Sequence, residues 1–130
     1  MHAKSTSVAV VDDDFRVLES MDELLQSAGY NVLLFHTPRD LLESGDLSMV
    51  DCVISDISMP DMNGLELEKQ IKRIRPFLPM ILITGRNEFA QAAAEVAAGS
   101  GRHFFEKPFD GSKLLAAVRS CVVRRIPQPD

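Results

Sequence analysis

A doubly wound α/β fold, five β-α units around one parallel sheet, is predicted by three features of the chain. Short apolar runs alternate with amphipathic stretches throughout. The apolar runs are continuous rather than alternating, which marks strands buried on both faces. Glycine and proline fall between the segments, where such a chain reverses direction.

Each element follows from its residues. Ser7-Val8-Ala9-Val10-Val11 is valine-rich, too short for a helix, and runs into Asp12-Asp13-Asp14; it is predicted as the first strand. Val17, Leu18, Met21, Leu24, Leu25 and Ala28 recur at helical spacing and predict a helix over 14–28. Asp14 is its expected N-cap and Gly29 its left-handed terminator. Asn31 to Phe35 is the second strand. Thr37 caps a short helix that Pro38 opens and Glu43 closes. The third strand covers 51–56 and is followed by a loop over 57–63. Leu65, Leu67, Ile71 and Ile74 predict a helix that Pro76 stops. The fourth strand covers 79–84, an alanine-rich helix 89–98, a short fifth strand 102–106 and a last helix 110–125. Leu114, Leu115, Val118, Cys121 and Val122 share one face of that helix. The tail from Arg124 to Asp130 loses the helical period and holds two prolines. The division expected is one domain over 1–125 and the start of a linker, leading to a further C-terminal output domain, over 126–130.

Composition narrows the function. The 130 residues are 45% hydrophobic and 25% charged, as in an ordinary folded domain. A net charge of -5 argues against binding a phosphate backbone directly. Two cysteines, Cys52 and Cys121, without a CxxC pair, argue against a disulfide scaffold or structural zinc and fit a cytoplasmic setting. No apolar run in the sequence approaches the roughly 20 residues of a membrane span.

In a doubly wound sheet, ligands bind at the carboxyl ends of the strands. Those ends carry Asp12 and Asp13, Asp56, Thr84 and Lys107. Carboxylates brought together repel, by about 4 kcal/mol for unit charges 4 Å apart at an effective dielectric of 20. A divalent cation offsets that cost, and Asp13, Asp56 and a loop carbonyl are hard oxygen donors suited to magnesium. With a lysine and a hydroxyl opposite, the set suits a phosphoryl group, with an aspartate as nucleophile. Taken singly, each residue has a plainer reading: a helix cap, a turn former, a surface lysine, a strand-end threonine. Their concentration at one end of one sheet favours chemistry.

Four motifs carry a resemblance. They are Val10-Val11-Asp12-Asp13-Asp14, Asp56-Ile57-Ser58-Met59-Pro60-Asp61-Met62-Asn63-Gly64-Leu65-Glu66, Ile81-Leu82-Ile83-Thr84-Gly85 and Phe105-Glu106-Lys107-Pro108-Phe109. In this order and on these elements the chain resembles the receiver domain of two-component response regulators. The resemblance implies strand order 2-1-3-4-5, with Asp56 as acceptor of phosphate from a sensor histidine kinase. It implies magnesium held by Asp13, Asp56 and the Ser58 backbone carbonyl, with Asp12 assisting through water. It further implies that Lys107 pairs with the phosphoryl oxygens, that Thr84 and Phe104 act as the switch pair, and that the Lys107-Pro108 bond is cis. Homodimerisation would use the alanine-rich helix, the fifth strand and the last helix. DNA would be reached only through an attached output domain, of the helix-turn-helix kind.

Gly85 stands where the family more often has alanine or serine, and Phe104 lacks the hydroxyl of the frequent tyrosine. The alternatives are a stand-alone receiver, a pseudo-receiver serving as an interaction module, and a magnesium-dependent aspartyl phosphatase. The phosphatase reading is disfavoured because the candidate nucleophile follows the third strand rather than the first. The domain is expected to catalyse its own phosphorylation and dephosphorylation and no reaction on an external metabolite. A calcium loop at Asp61-x-Asn63-Gly64 fails, with Met59 at the first ligand position and Gln70 at the twelfth. His2, His36 and His103 are unclustered in the sequence.

Overall fold

The computed structural model describes residues 6–85 and 103–125. The strands are β1 (Ser7–Val11), β2 (Asn31–Phe35), β3 (Cys52–Asp56), β4 (Met80–Thr84) and β5 (His103–Glu106). The helices are α1 (Phe15–Ser27), α2 (Pro38–Ser44), α3 (Gly64–Ile74) and α4 (Gly111–Arg125), with a 3-10 turn over Asp46–Met49. All strand pairs are parallel and the order is β2-β1-β3-β4-β5. The alanine-rich helix expected over 89–98 and the linker over 126–130 lie outside the described residues.

The apolar strand runs are explained by burial on both faces. Val8, Val10, Cys52, Ile54, Ile81 and Ile83 pack on one side with Leu18, Met21 and Leu25 of α1 and Leu114, Val118 and Cys121 of α4. Ala9, Val11, Val53 and Leu82 face the other side, with Leu41 of α2 and Leu67 and Ile71 of α3. Successive side chains point to opposite faces of a strand, so β1, β3 and β4 are apolar along most of their length, whereas the edge strand β2 exposes Asn31 and Leu34.

Local chemistry sets the helix ends. The Asp14 carboxylate accepts from the Arg16 N–H, and the Thr37 hydroxyl from the Asp40 N–H, as expected. Asn63 and Glu66 close a reciprocal capping box at the start of α3. Two apolar residues depart from their expected places. Ile74, named for the helix, is 60% exposed at the end of α3, and Met49, an apolar residue that packing would bury, lies exposed on the 3-10 turn. Conversely Glu68 of α3 is buried. The Arg75 guanidinium crosses to the turn after α2 and donates to the Leu47 and Val50 carbonyls, each at 2.7 Å.

Candidate functional site

The strand order reverses beside β1: the chain passes to β2 on one side and returns through β3 on the other. The crevice at the carboxyl ends of β1 and β3 is therefore where this architecture places a ligand. Asp12 and Asp13 leave β1 there, and Asp56 ends β3. One carboxylate oxygen from each lies within 4.8 Å of the others. Asp12 and Asp56 are buried and Asp13 is exposed. The sequence expectation that these acids converge is met by the geometry.

Lys107 follows β5 and reaches back across the sheet end. Its ammonium donates to Asp12 Oδ2 at 3.4 Å and to Asp56 Oδ2 at 3.3 Å. Two backbone donors add to the cluster: the Asp14 N–H meets Asp12 Oδ1 at 2.9 Å and the Ser58 N–H meets Asp56 Oδ1 at 3.3 Å. The Lys107-Pro108 peptide is cis. The Lys107 N–H donates to the Thr84 carbonyl at 2.8 Å, tying the lysine to the end of β4. Thr84 is buried, and its hydroxyl donates to the Gly85 carbonyl at 3.2 Å. In the strand register Asp56 pairs with Ile83, so Thr84 stands one residue beyond the level of Asp56. Phe104 pairs with Leu82, is half-buried, and packs against the α2–α3 side of the core.

The electrostatics reflect this crowding. Burial, and then the charge of Asp12, push the Asp56 carboxyl from 3.8 up to about 6, against the pull of Lys107 and the Ser58 N–H. Asp12 is raised as well, mainly by burial, with its hydrogen bond from Asp14 and the Lys107 charge opposing. Burial alone would lower the Lys107 ammonium, but the two carboxylates outweigh it and hold the pKa above the ordinary lysine value. Within this cluster three carboxylates face one ammonium, leaving two negative charges uncompensated when all three acids are ionised. The donor set is all hard oxygen, so the residues present fit a divalent cation such as magnesium.

A stability prediction follows from the raised carboxyl. Between about pH 4 and pH 6 the folded protein holds a proton on Asp56 that the unfolded chain has released. Without metal, stability should therefore rise as the pH falls from 7 toward 4, and be lost as the pH climbs through about 6. Solvent screening holds the Asp56 contribution to about 1–2 kcal/mol. Thermal unfolding in chelator at pH 5 and pH 7.5 measures it, and Asp56→Asn should flatten the difference. An equal pH response in both proteins would show that Asp56 titrates normally.

Beyond the reactive side chains, the loop after β3 is shaped by two residues. Asp61 has a left-handed φ of 71°, a conformation that aspartate tolerates better than most residues. Gly64 packs its Cα against the backbone at the end of β3: a Cβ there would overlap the Asp56 carbonyl oxygen and lie 2.9 Å from Ile57 Cα. In the sequence Gly64 stands within the motif that follows Asp56. Its contact with Asp56 has no local signal, because it joins two elements through the fold.

Comparison with known proteins agrees with the geometry. The sequence matches the response regulator receiver domain family over residues 8–119. It is 33% identical to the response regulator protein TodT of Pseudomonas putida over 122 residues, 94% of this chain and 53% of TodT. It is 33% identical to the transcriptional regulatory protein FixJ of Bradyrhizobium diazoefficiens over 115 residues, 88% of this chain and 56% of FixJ. The chain thus spans about half the length of these relatives. Full-length FixJ from B. japonicum superposes with a TM-score of 0.80 at 31% identity, covering 96% of this chain and 61% of that one. A CheY-like receiver domain protein from Methanospirillum hungatei gives 0.80 at 25% identity, covering 94% and 97%. With the family matched over nearly the whole described sheet and the strand order in agreement, the chain belongs to the response regulator receiver domain family.

Proposed function

We propose that this domain takes a phosphoryl group onto Asp56 from a phosphohistidine of a sensor histidine kinase, and that the modification switches an output. The observation that carries this reading is the convergence of Asp12, Asp13 and Asp56 at one sheet end, with Lys107 bonded to two of them. Asp56 Oδ attacks phosphorus, the P–N bond to the kinase histidine breaks, and the imidazole nitrogen keeps the electron pair. Lys107 is placed to move its ammonium from the carboxylates to the phosphoryl oxygens. Asp13, Asp56 and the Ser58 carbonyl would hold magnesium, with Asp12 assisting through water. When bound, the ion supplies charge neutralisation for the phosphoryl oxygens.

The proposed reaction ends on the protein itself, so the domain turns over no external metabolite apart from its own phosphorylation and dephosphorylation. Acetyl phosphate with magnesium tests it: one acid-labile phosphoryl group should appear per chain, with no turnover of simple phosphate esters. Ester turnover would support the phosphatase reading, and no uptake at all the pseudo-receiver. The domain organisation proposed is the receiver over 1–125 and a linker from 126. The matched region is 56% and 59% of two relatives named as transcriptional regulatory proteins FixJ and 26% of the transcriptional regulatory protein DctD, so each carries further sequence, which supports a DNA-binding output attached to this receiver. No described helix is long and apolar enough to cross a membrane, and the kinase's phosphohistidine would be met in the cytoplasm.

Transmission is proposed to run through Thr84 and Phe104. The Thr84 hydroxyl exchanges its long bond to the Gly85 carbonyl for a phosphoryl oxygen. Phe104, two residues before the register partner of Thr84, fills the vacated space and alters the face of β5 and α4, where homodimerisation is expected. A ligand shifts two states only by its differential affinity for them, so Thr84→Ala should keep phosphate uptake and lose dimerisation. Sedimentation with and without beryllofluoride measures this in wild type and variant. Equal responses would remove Thr84 from the pathway.

A further inference from the structure

We infer that Ser55 is a positioning residue for the phosphoacceptor, acting through the backbone carbonyl of Asp56. The inference rests on the reading of Asp56 given above. Ser55 is fully buried on β3, between the apolar Cys52, Val53 and Ile54 and the acceptor Asp56. It shares a strand face with Val53, among apolar residues of the α2–α3 side. Packing alone asks for no hydroxyl there, and a buried hydroxyl must find a partner. The one it takes is the Asp56 carbonyl, to which Ser55 Oγ donates at 2.9 Å.

That same carbonyl is the atom against which Gly64 is packed. The Asp56 peptide is thus held from two directions, by a hydrogen bond from β3 and by close backbone contact from α3. Its rotation is the ψ angle of Asp56, and this angle directs the chain into Ile57 and Ser58. Ile57 is itself pinned, its N–H donating to the Ile83 carbonyl at 2.8 Å and its carbonyl accepting from the Gly64 N–H at 2.8 Å. Ser58 returns to the site through its N–H on Asp56 Oδ1. The Ser55 hydroxyl therefore sets the angle between the Asp56 carboxylate and the Ser58 peptide, two donors proposed for one cation, while touching neither the cation nor the phosphoryl group.

The test compares wild type with Ser55→Ala and Ser55→Thr in three measurements. These are magnesium chloride titration followed by amide resonances, acetyl phosphate labelling, and thermal unfolding without metal. Loss of a hydrogen bond of ordinary net strength should weaken magnesium binding about fivefold in Ser55→Ala, with slower labelling. Ser55→Thr, which keeps the hydroxyl, should stay within about twofold of wild type. A lower melting temperature with unchanged magnesium affinity in Ser55→Ala would overturn the inference, making the hydroxyl a purely structural contact. If the extra methyl of Ser55→Thr unfolds the protein, the Ser55→Ala affinity decides alone. Failure of wild type itself to take phosphate would instead overturn the assignment of Asp56, and the positioning role with it.

Discussion

Asp56→Asn is expected to abolish phosphoryl uptake, to below about one-hundredth of the wild-type level. The amide keeps the shape of the carboxylate and removes the nucleophilic oxygen. Its fold should persist or gain stability, because the substitution deletes a buried charge that Asp12 repels. Lys107 would retain Asp12 as a partner at 3.4 Å, so the ammonium is not stranded. Labelling with acetyl phosphate and magnesium, followed by mass spectrometry of the acid-labile adduct, measures the outcome. Neighbouring Asp13 is exposed and lacks the direct Lys107 contact that Asp12 and Asp56 share, so it is not expected to take over. Full labelling of the variant at any carboxylate would refute Asp56 as the acceptor.

Gly64→Ala is expected to destabilise the domain by about 2–3 kcal/mol and to impair the site at the same time. The added Cβ would meet the Asp56 carbonyl oxygen, Ile57 Cα at 2.9 Å and the Asp56 carbonyl carbon at 3.1 Å. All three are backbone atoms, so no side-chain rotation relieves the overlap. Either the start of α3 moves away, breaking the Gly64 N–H bond to the Ile57 carbonyl, or the end of β3 shifts with the phosphoacceptor. The melting temperature should fall by about 10 °C, with weaker magnesium binding. Gly45→Ala is the control. Gly45 has φ 80° with nothing near its missing Cβ, so alanine there should cost only the left-handed backbone, about 1 kcal/mol, and leave phosphate uptake intact. If the two variants lose equal stability and both label normally, the contact between α3 and β3 carries no functional weight.

Much of this molecule was legible without coordinates. Apolar runs of five or six residues are too short for helices, and strands buried on both faces need no alternation; β1, β3 and β4 follow from that, while β2 is a partly exposed edge strand and β5 holds just two apolar residues. Asp14, Thr37 and Pro38 announced helix starts because capping is a contact between neighbours in sequence. The rule that ligands gather at strand ends singled out Asp12, Asp13, Asp56, Thr84 and Lys107, and the four motifs named the family that the comparison shows. The helical period placed Ile74 within α3, where it lies exposed, and gave no sign that Glu68 would be buried. Periodicity reports which residues share a face, not where the surface under that face ends.

What the sequence determined by itself was the strands and α-helices of the described residues, their parallel arrangement and the residues at the strands' carboxyl ends, all consequences of short-range pattern. Tertiary structure alone decided how those residues act on one another. Lys107 and Asp12 are 95 positions apart, Lys107 and Asp56 51, and no local pattern encodes a 3.3 Å contact over such a separation. The rise of the Asp56 carboxyl to about 6 likewise needs the burial and the Asp12 charge that only the assembled sheet supplies. Gly64 and Ser55 matter for the same reason: each acts on the Asp56 carbonyl, one across elements and one within a strand. Such contacts depend on where backbone atoms come to lie after the sheet has twisted and the helices have packed.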